Sequence, residues 1–142
     1  TKGLGGFAGA VLAGSEDFVN SAWRLKQQWG GGLRQSGYIA ATGLYALDHH
    51  VERLADDHAL AALIGERLEA MASVRRVLPV ETNIVIFEIA ESGPTAAELG
   101  DRLLHKGVCA GVFGERTGRI VSHLGVDQAG ADLLCDTLRE AL

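Results

Sequence analysis

Lys2, followed at once by Gly3-Leu4-Gly5-Gly6, is the first group in the chain able to do covalent chemistry. A lysine amine forms Schiff bases with carbonyl compounds when desolvation or neighbouring positive charge makes its free base available. Flanking glycines let the main chain turn tightly beside a bound group. On spacing alone, a solvated lysine explains the pattern as well. The stretch GLGGFAG lacks the GxxxxGK[ST] order of a phosphate loop, so that reading is weak.

Two arginines are the next candidates. Gly30-Gly31-Gly32-Leu33-Arg34 empties a glycine run into the start of a helix. Free N–H groups, the helix dipole and Arg34 would suit an anion there. A flexible hinge between helices suits the same residues, and spacing does not separate the two. Arg119 stands in Gly118-Arg119-Ile120-Val121-Ser122-His123-Leu124. Strand alternation puts Arg119, Val121 and His123 on one face. An arginine on an otherwise apolar strand suits bidentate capture of a carboxylate. An edge-strand arginine facing water is the even alternative.

Other polar groups are weaker candidates. Asp48, His49, His50, Glu52, Asp56, Asp57 and His58 spread around a helix rather than line one face, so a solvated surface is expected and no metal site. Cys109 and Cys135 have no CxxC partner and are expected in the core.

The elements that must position these groups follow from periodicity. Ala8 to Ala13 reads as a buried strand, and Ser15 with Glu16 and Asp17 opens a helix to about Gln28. Leu44, Leu47, Val51, Leu54, Ala61 and Leu68 keep a helical period, so one long helix is expected from Arg34 to Met71, with Gly43 or Gly65 as bending points. The period then shortens. Strands are expected at 75–80, 83–89, 108–112 and 119–124. Pro94-Thr95 opens a helix closed by Gly107, and Asp127 caps a last one. The result is a compact unit of strands packed with helices.

Composition narrows the function. The chain has 142 residues, 47% apolar and 22% charged, with a net charge of -5. One domain's length is enough to bury a core. No basic block suggests nucleic acid, and no apolar run is long enough to span a membrane. Two isolated cysteines make a reducing cytoplasm the simplest setting. Of the 19 glycines, five fall among the first fourteen residues, just after Lys2, and three form the run 30–32 before Arg34.

Taken together, several segments resemble the low-specificity L-threonine aldolases. These are Thr1-Lys2-Gly3-Leu4-Gly5, Val11-Leu12-Ala13-Gly14-Ser15, Gly30 to Gly37, Gly43-Leu44-Tyr45-Ala46-Leu47, Val51 to Ala55 with Asp57-His58, Thr82 to Val85, and Arg119 to Leu124. Each is weak alone, and their order and spacing are specific. The resemblance runs through nearly the whole chain. It implies an α/β fold of the fold type I, aspartate-aminotransferase-like pyridoxal-phosphate group. Residues 1–32 would be the tail of the large, cofactor-binding domain, and 33–142 a long linking helix with the C-terminal small domain.

The resemblance also implies roles. Lys2 would carry the Schiff base with pyridoxal 5'-phosphate. Arg119 would hold the substrate carboxylate. Arg34 would approach the cofactor phosphate, from a neighbouring subunit of a dimer or homotetramer. The implied reaction is retro-aldol cleavage of a β-hydroxy-α-amino acid to glycine and an aldehyde. Departures from the family pattern are Phe7 in the lysine loop, Gln27, and Gly125 after His-Leu. They leave open the substrate aldehyde, the threo/erythro preference and the reaction type. Another fold type I lyase or an aminotransferase is the alternative within the cofactor class, and a catalytically silent assembly module the alternative outside it. The family's usual length leads to the further expectation that these residues are a C-terminal portion of an aldolase. The rest would hold most cofactor contacts and the catalytic base, and the chain alone would bind cofactor poorly.

Overall fold

A computed structural model describes all 142 residues and divides them into two compact units, Thr1–Val51 and Glu52–Leu142. The first unit is helical. A single 3-10 turn, Lys2–Leu4, precedes α1 (Glu16–Gln28) and α2 (Gly37–His49). Ser15 caps α1 as expected, its hydroxyl accepting from the Phe18 amide at 3.4 Å, and Glu16 and Asp17 face the positive end of the helix dipole. Gly30 ends this segment with φ +77, a conformation that costs other residues steric strain.

The expected strand at 8–13 does not form. Those residues are irregular and exposed, Val11 at 95%. A strand is stable only when its main-chain groups pair with a neighbour, and the first unit contains no other strand. The expected long helix is also interrupted, at His50–Arg53, and not at Gly43 or Gly65, which lie within helices. His50 at φ -112 departs from helical geometry. The amides of Ala55 and Asp56 then bond three residues back, to the Glu52 and Arg53 carbonyls, which is the tighter 3-10 spacing.

The second unit holds the core. Its elements are α3 (Leu54–Glu69), β1 (Val74–Val77), β2 (Ile84–Ile89), α4 (Ala96–His105), β3 (Gly111–Val112), β4 (Thr117–Val121) and α5 (Gln128–Ala141). The strands form one antiparallel sheet in the order β1-β2-β4-β3. This is the strand-and-helix unit expected from the sequence, with the third strand cut to two residues. A short edge strand offers little to a foreign strand.

Alternation along β2 and β4 buries Val85, Phe87, Ile89, Gly118 and Ile120. Their cluster is completed by Ile64 and Leu68 of α3, Leu99 and Leu103 of α4, and Leu134 and Leu138 of α5. Each such side chain contributes about 1.5–3 kcal/mol on leaving water. Gly118 is required by this packing, because a Cβ there would run into the Phe87 ring, Cε1 at 2.6 Å.

Local signals end the helices where the sequence places them. Thr95 and Glu98 form a reciprocal capping box at α4. Gly107 follows its end with φ +78, and Asp127 accepts from the Gly130 amide at the start of α5. Cys135 is buried as expected, but Cys109 is exposed. The strand that was to carry it inward starts only at Gly111.

Candidate functional site

Lys2 occupies the 3-10 turn in a left-handed conformation, φ +58, and Gly5 closes the turn at φ +68. A non-glycine residue in that region is strained by roughly 1 kcal/mol or more. The turn persists because it is tied on several sides. The Gly5 amide bonds the Lys2 carbonyl at 2.8 Å. The His50 ring donates from Nδ1 to the Leu4 carbonyl at 2.6 Å. The Phe7 amide bonds Thr42 Oγ1 at 3.2 Å, and that hydroxyl donates in turn to the Ile39 carbonyl. Thus the glycine-rich loop lies along α2 at Ile39, Thr42 and His50. The Lys2 side chain itself is exposed and makes no hydrogen bond or ion pair.

Arg34 lies in the turn before α2, exposed, with Gln35 beside it at φ +52. It too has no carboxylate partner. A second left-handed non-glycine residue marks this turn as strained in the same way as the lysine turn.

Arg119 lies on β4 opposite Ile86 of β2 and Gly111 of β3. Alternation turns it, with Val121, to the sheet face that the helices leave open, on an interior strand rather than an edge, while His123, expected on the same strand face, lies beyond the end of β4. Its guanidinium stands 5.7 Å from the centroid of the Phe113 ring, within cation–π range. Gly111 lies against it across the β3–β4 pair, where an added Cβ would come within 3.3 Å of the Arg119 carbonyl oxygen. No acidic side chain pairs with Arg119. Along this face its neighbours are the apolar Ile84, Ile86 and Val121 on one side, and Thr117 and Glu88 on the other, with the Glu88 carboxylate held by Arg76. A guanidinium without a paired carboxylate can donate two parallel hydrogen bonds to a planar anion such as a carboxylate.

The polar residues of 48–58 divide into separate roles. His50 supports the lysine turn. Asp57, expected on a solvated surface, is instead buried at 2% exposure, where it pairs with Arg53 at 2.5 Å. No three of the chain's His, Cys, Asp and Glu residues gather as metal ligands would. Sequence reading missed His50 and Thr42 as supports of Lys2, because their partners are groups far away along the chain.

The family model for beta-eliminating lyases matches residues 1–92. The chain is 39% identical over 129 residues to the low specificity L-threonine aldolase of Escherichia coli (strain K12), covering 90% of this chain and 37% of that protein. It is 30% identical over its full length to the probable low-specificity L-threonine aldolase of Schizosaccharomyces pombe, covering 35% of it. The chain thus spans little more than a third of the length of these relatives. Among solved structures, one from Exiguobacterium described as an aromatic amino acid beta-eliminating lyase/threonine aldolase superposes with a TM-score of 0.73 at 25% identity, over 99% of this chain and 43% of that one. Ornithine delta-aminotransferase of Plasmodium falciparum shares the fold over 72% of this chain and 28% of its own, with a TM-score of 0.57 at 16% identity. The fold is that of the fold type I pyridoxal-phosphate enzymes, and the chain belongs to the beta-eliminating lyase family.

Proposed function

We propose that this chain is the C-terminal portion of a pyridoxal-phosphate-dependent carbon–carbon lyase that cleaves L-threonine and L-allo-threonine to glycine and acetaldehyde. The observation that carries the reading is Lys2, unpaired on a strained, tied-down turn inside the matched region. Such a turn fixes the main chain, and the Lys2 Nζ has no ion pair to give up before covalent attachment. Residues 1–32 would belong to the cofactor-binding domain, and 33–142 would link to and form the small domain.

The residues present fit the cofactor in chemistry. Lys2 offers a free Nζ for covalent attachment. Arg34 offers charge for a phosphate, from a neighbouring subunit of a homo-oligomer. Arg119 offers a bidentate fork for the substrate carboxylate, which fixes the orientation of the substituents on Cα. The cofactor, when bound, supplies the electron sink for breaking the Cα–Cβ bond. A cytoplasmic setting agrees with this chemistry, and no helix is long and apolar enough to cross a membrane.

The test is an assay of the whole protein with pyridoxal phosphate. Glycine should be released from L-threonine, a borohydride-stable adduct should map to Lys2, and Lys2→Ala should abolish both. Production of a keto acid in place of glycine would make the enzyme an aminotransferase. A protein whose role survives Lys2→Ala would be an assembly module. Tight stoichiometric labelling and full aldolase activity in the isolated 142 residues would overturn the reading of the chain as a portion.

A further inference from the structure

We propose that Asn83 and Ser122 are positioning residues for Arg119. The inference rests on the reading of Arg119 as a carboxylate fork. The β2–β4 ladder ends at the pair Ile84–Val121, and the next pair in register is Asn83–Ser122. There the Ser122 amide donates to the Asn83 carbonyl at 3.0 Å. The returning bond to the Ser122 carbonyl comes from the Asn83 side chain, Nδ2 at 2.7 Å. A side-chain amide thus substitutes for a main-chain amide and carries the ladder one step further.

Ser122 adds a third connection. Its hydroxyl is buried at 1% exposure and donates to the Asp57 carbonyl of α3 at 2.6 Å. That ties the end of β4 to the first turns of the helix beneath the sheet. Ser122 points to the covered face and Arg119 to the open one. Ser122 therefore acts on Arg119 through the strand and touches nothing that Arg119 binds. Arg119 needs this help, because its neighbour on the other side, β3, pairs through only two residues. Slippage or fraying of β4 would move the guanidinium away from Phe113 and Gly111.

The test compares Ser122→Ala and Asn83→Asp with Thr137→Ala in the full 142-residue chain. Thr137 is also buried, but its hydroxyl bonds only within α5, so it controls for lost stability. The primary readout is ¹⁵N relaxation of the Arg119 Nε–H group together with hydrogen exchange of the β4 amides, and neither needs a ligand. At equal folded fraction, both test variants should mobilise Arg119 and speed β4 exchange about fivefold, the effect of one lost hydrogen bond. Thr137→Ala should do neither. Should Ser122→Ala fail to fold, the half-buried Asn83→Asp carries the comparison. Arg119 dynamics indistinguishable from those of Thr137→Ala would overturn the proposal. Acetate titration followed at Arg119 tests the underlying reading separately. If Arg119→Ala leaves the acetate response of neighbouring amides intact, the carboxylate role fails while the positioning result stands on relaxation alone.

Discussion

His50 Nδ1 lies 2.6 Å from the main-chain carbonyl oxygen of Leu4, joining the end of α2 to the turn that carries Lys2. A carbonyl only accepts, so this contact requires the proton on Nδ1. The neutral ring at alkaline pH is therefore expected as the Nδ1–H tautomer, observable by long-range ¹H–¹⁵N correlation. His50→Ala should also speed exchange of the Gly5 amide about fivefold, the value of roughly 1 kcal/mol for one hydrogen bond. A neutral ring protonated at Nε2 would remove the contact and with it this support for the turn.

Packing at the centre of the sheet sets the second expectation. Gly118→Ala places a methyl group against the Phe87 ring, which is fully buried and has no room to retreat. Overpacking of this kind costs about 1–3 kcal/mol. Denaturant unfolding should show that loss, and pairing the change with Phe87→Leu should recover part of it. Additive losses in the double variant would mean that the two sites do not share the strain.

These contacts also mark what the sequence can and cannot reveal. Thr95, Gly107 and Asp127 were legible because each acts on its own helix end, within a few residues. That Arg119 and Val121 share a face was legible because strand alternation is a local period, whereas which face stays open depends on where the helices pack. Val11 and Leu12 have the composition of a strand, but a strand also needs a partner, which their local pattern cannot supply. The break at His50–Arg53 was hidden for a related reason. Those residue types all tolerate a helix, and the contact that holds His50 reaches Leu4, 46 positions back along the chain. His50, Asn83 and Ser122 looked like ordinary polar residues because their partners are main-chain carbonyls 39 to 65 positions away.

A surface ion pair joins α3 to α5 and gives a pH dependence with a defined sign. The Arg67 guanidinium bonds Asp132 at 2.5 Å, and Gln128 adds a second donor at 3.0 Å. Arg67 first, then Gln128, hold the Asp132 carboxyl below its ordinary range. The folded state therefore binds this proton less readily than the unfolded chain. The resulting stability is fully present above the unfolded value of about 3.9. It is lost as pH falls through the lower folded value. Asp132→Asn should lose the pair's small contribution in the neutral region and flatten the acid limb, so that its stability-against-pH curve converges with the parent's at low pH. Added salt should shrink the difference, since both side chains reach solvent. An unchanged acid limb in Asp132→Asn would count against the pair.

The Arg53–Asp57 pair behaves differently, because one partner is buried. Asp57 is 2% exposed and Arg53 is 22%. Asp57 Oδ2 and Arg53 Nη1 are both buried without a hydrogen-bond partner, so the pair is incompletely satisfied. Removing either partner alone leaves an uncompensated charge, at a cost of about 3–5 kcal/mol for a buried pair. The two losses should be unequal. Arg53→Leu strands a carboxylate with no route to water, whereas Asp57→Leu leaves a guanidinium that can reach solvent. Arg53→Leu should therefore be the more damaging by equilibrium unfolding. The double change to leucine removes both charges and both orphaned atoms, and should be milder than Arg53→Leu alone. Were the double variant the worst of the three, the pair would be a net source of stability at this turn despite its unsatisfied atoms.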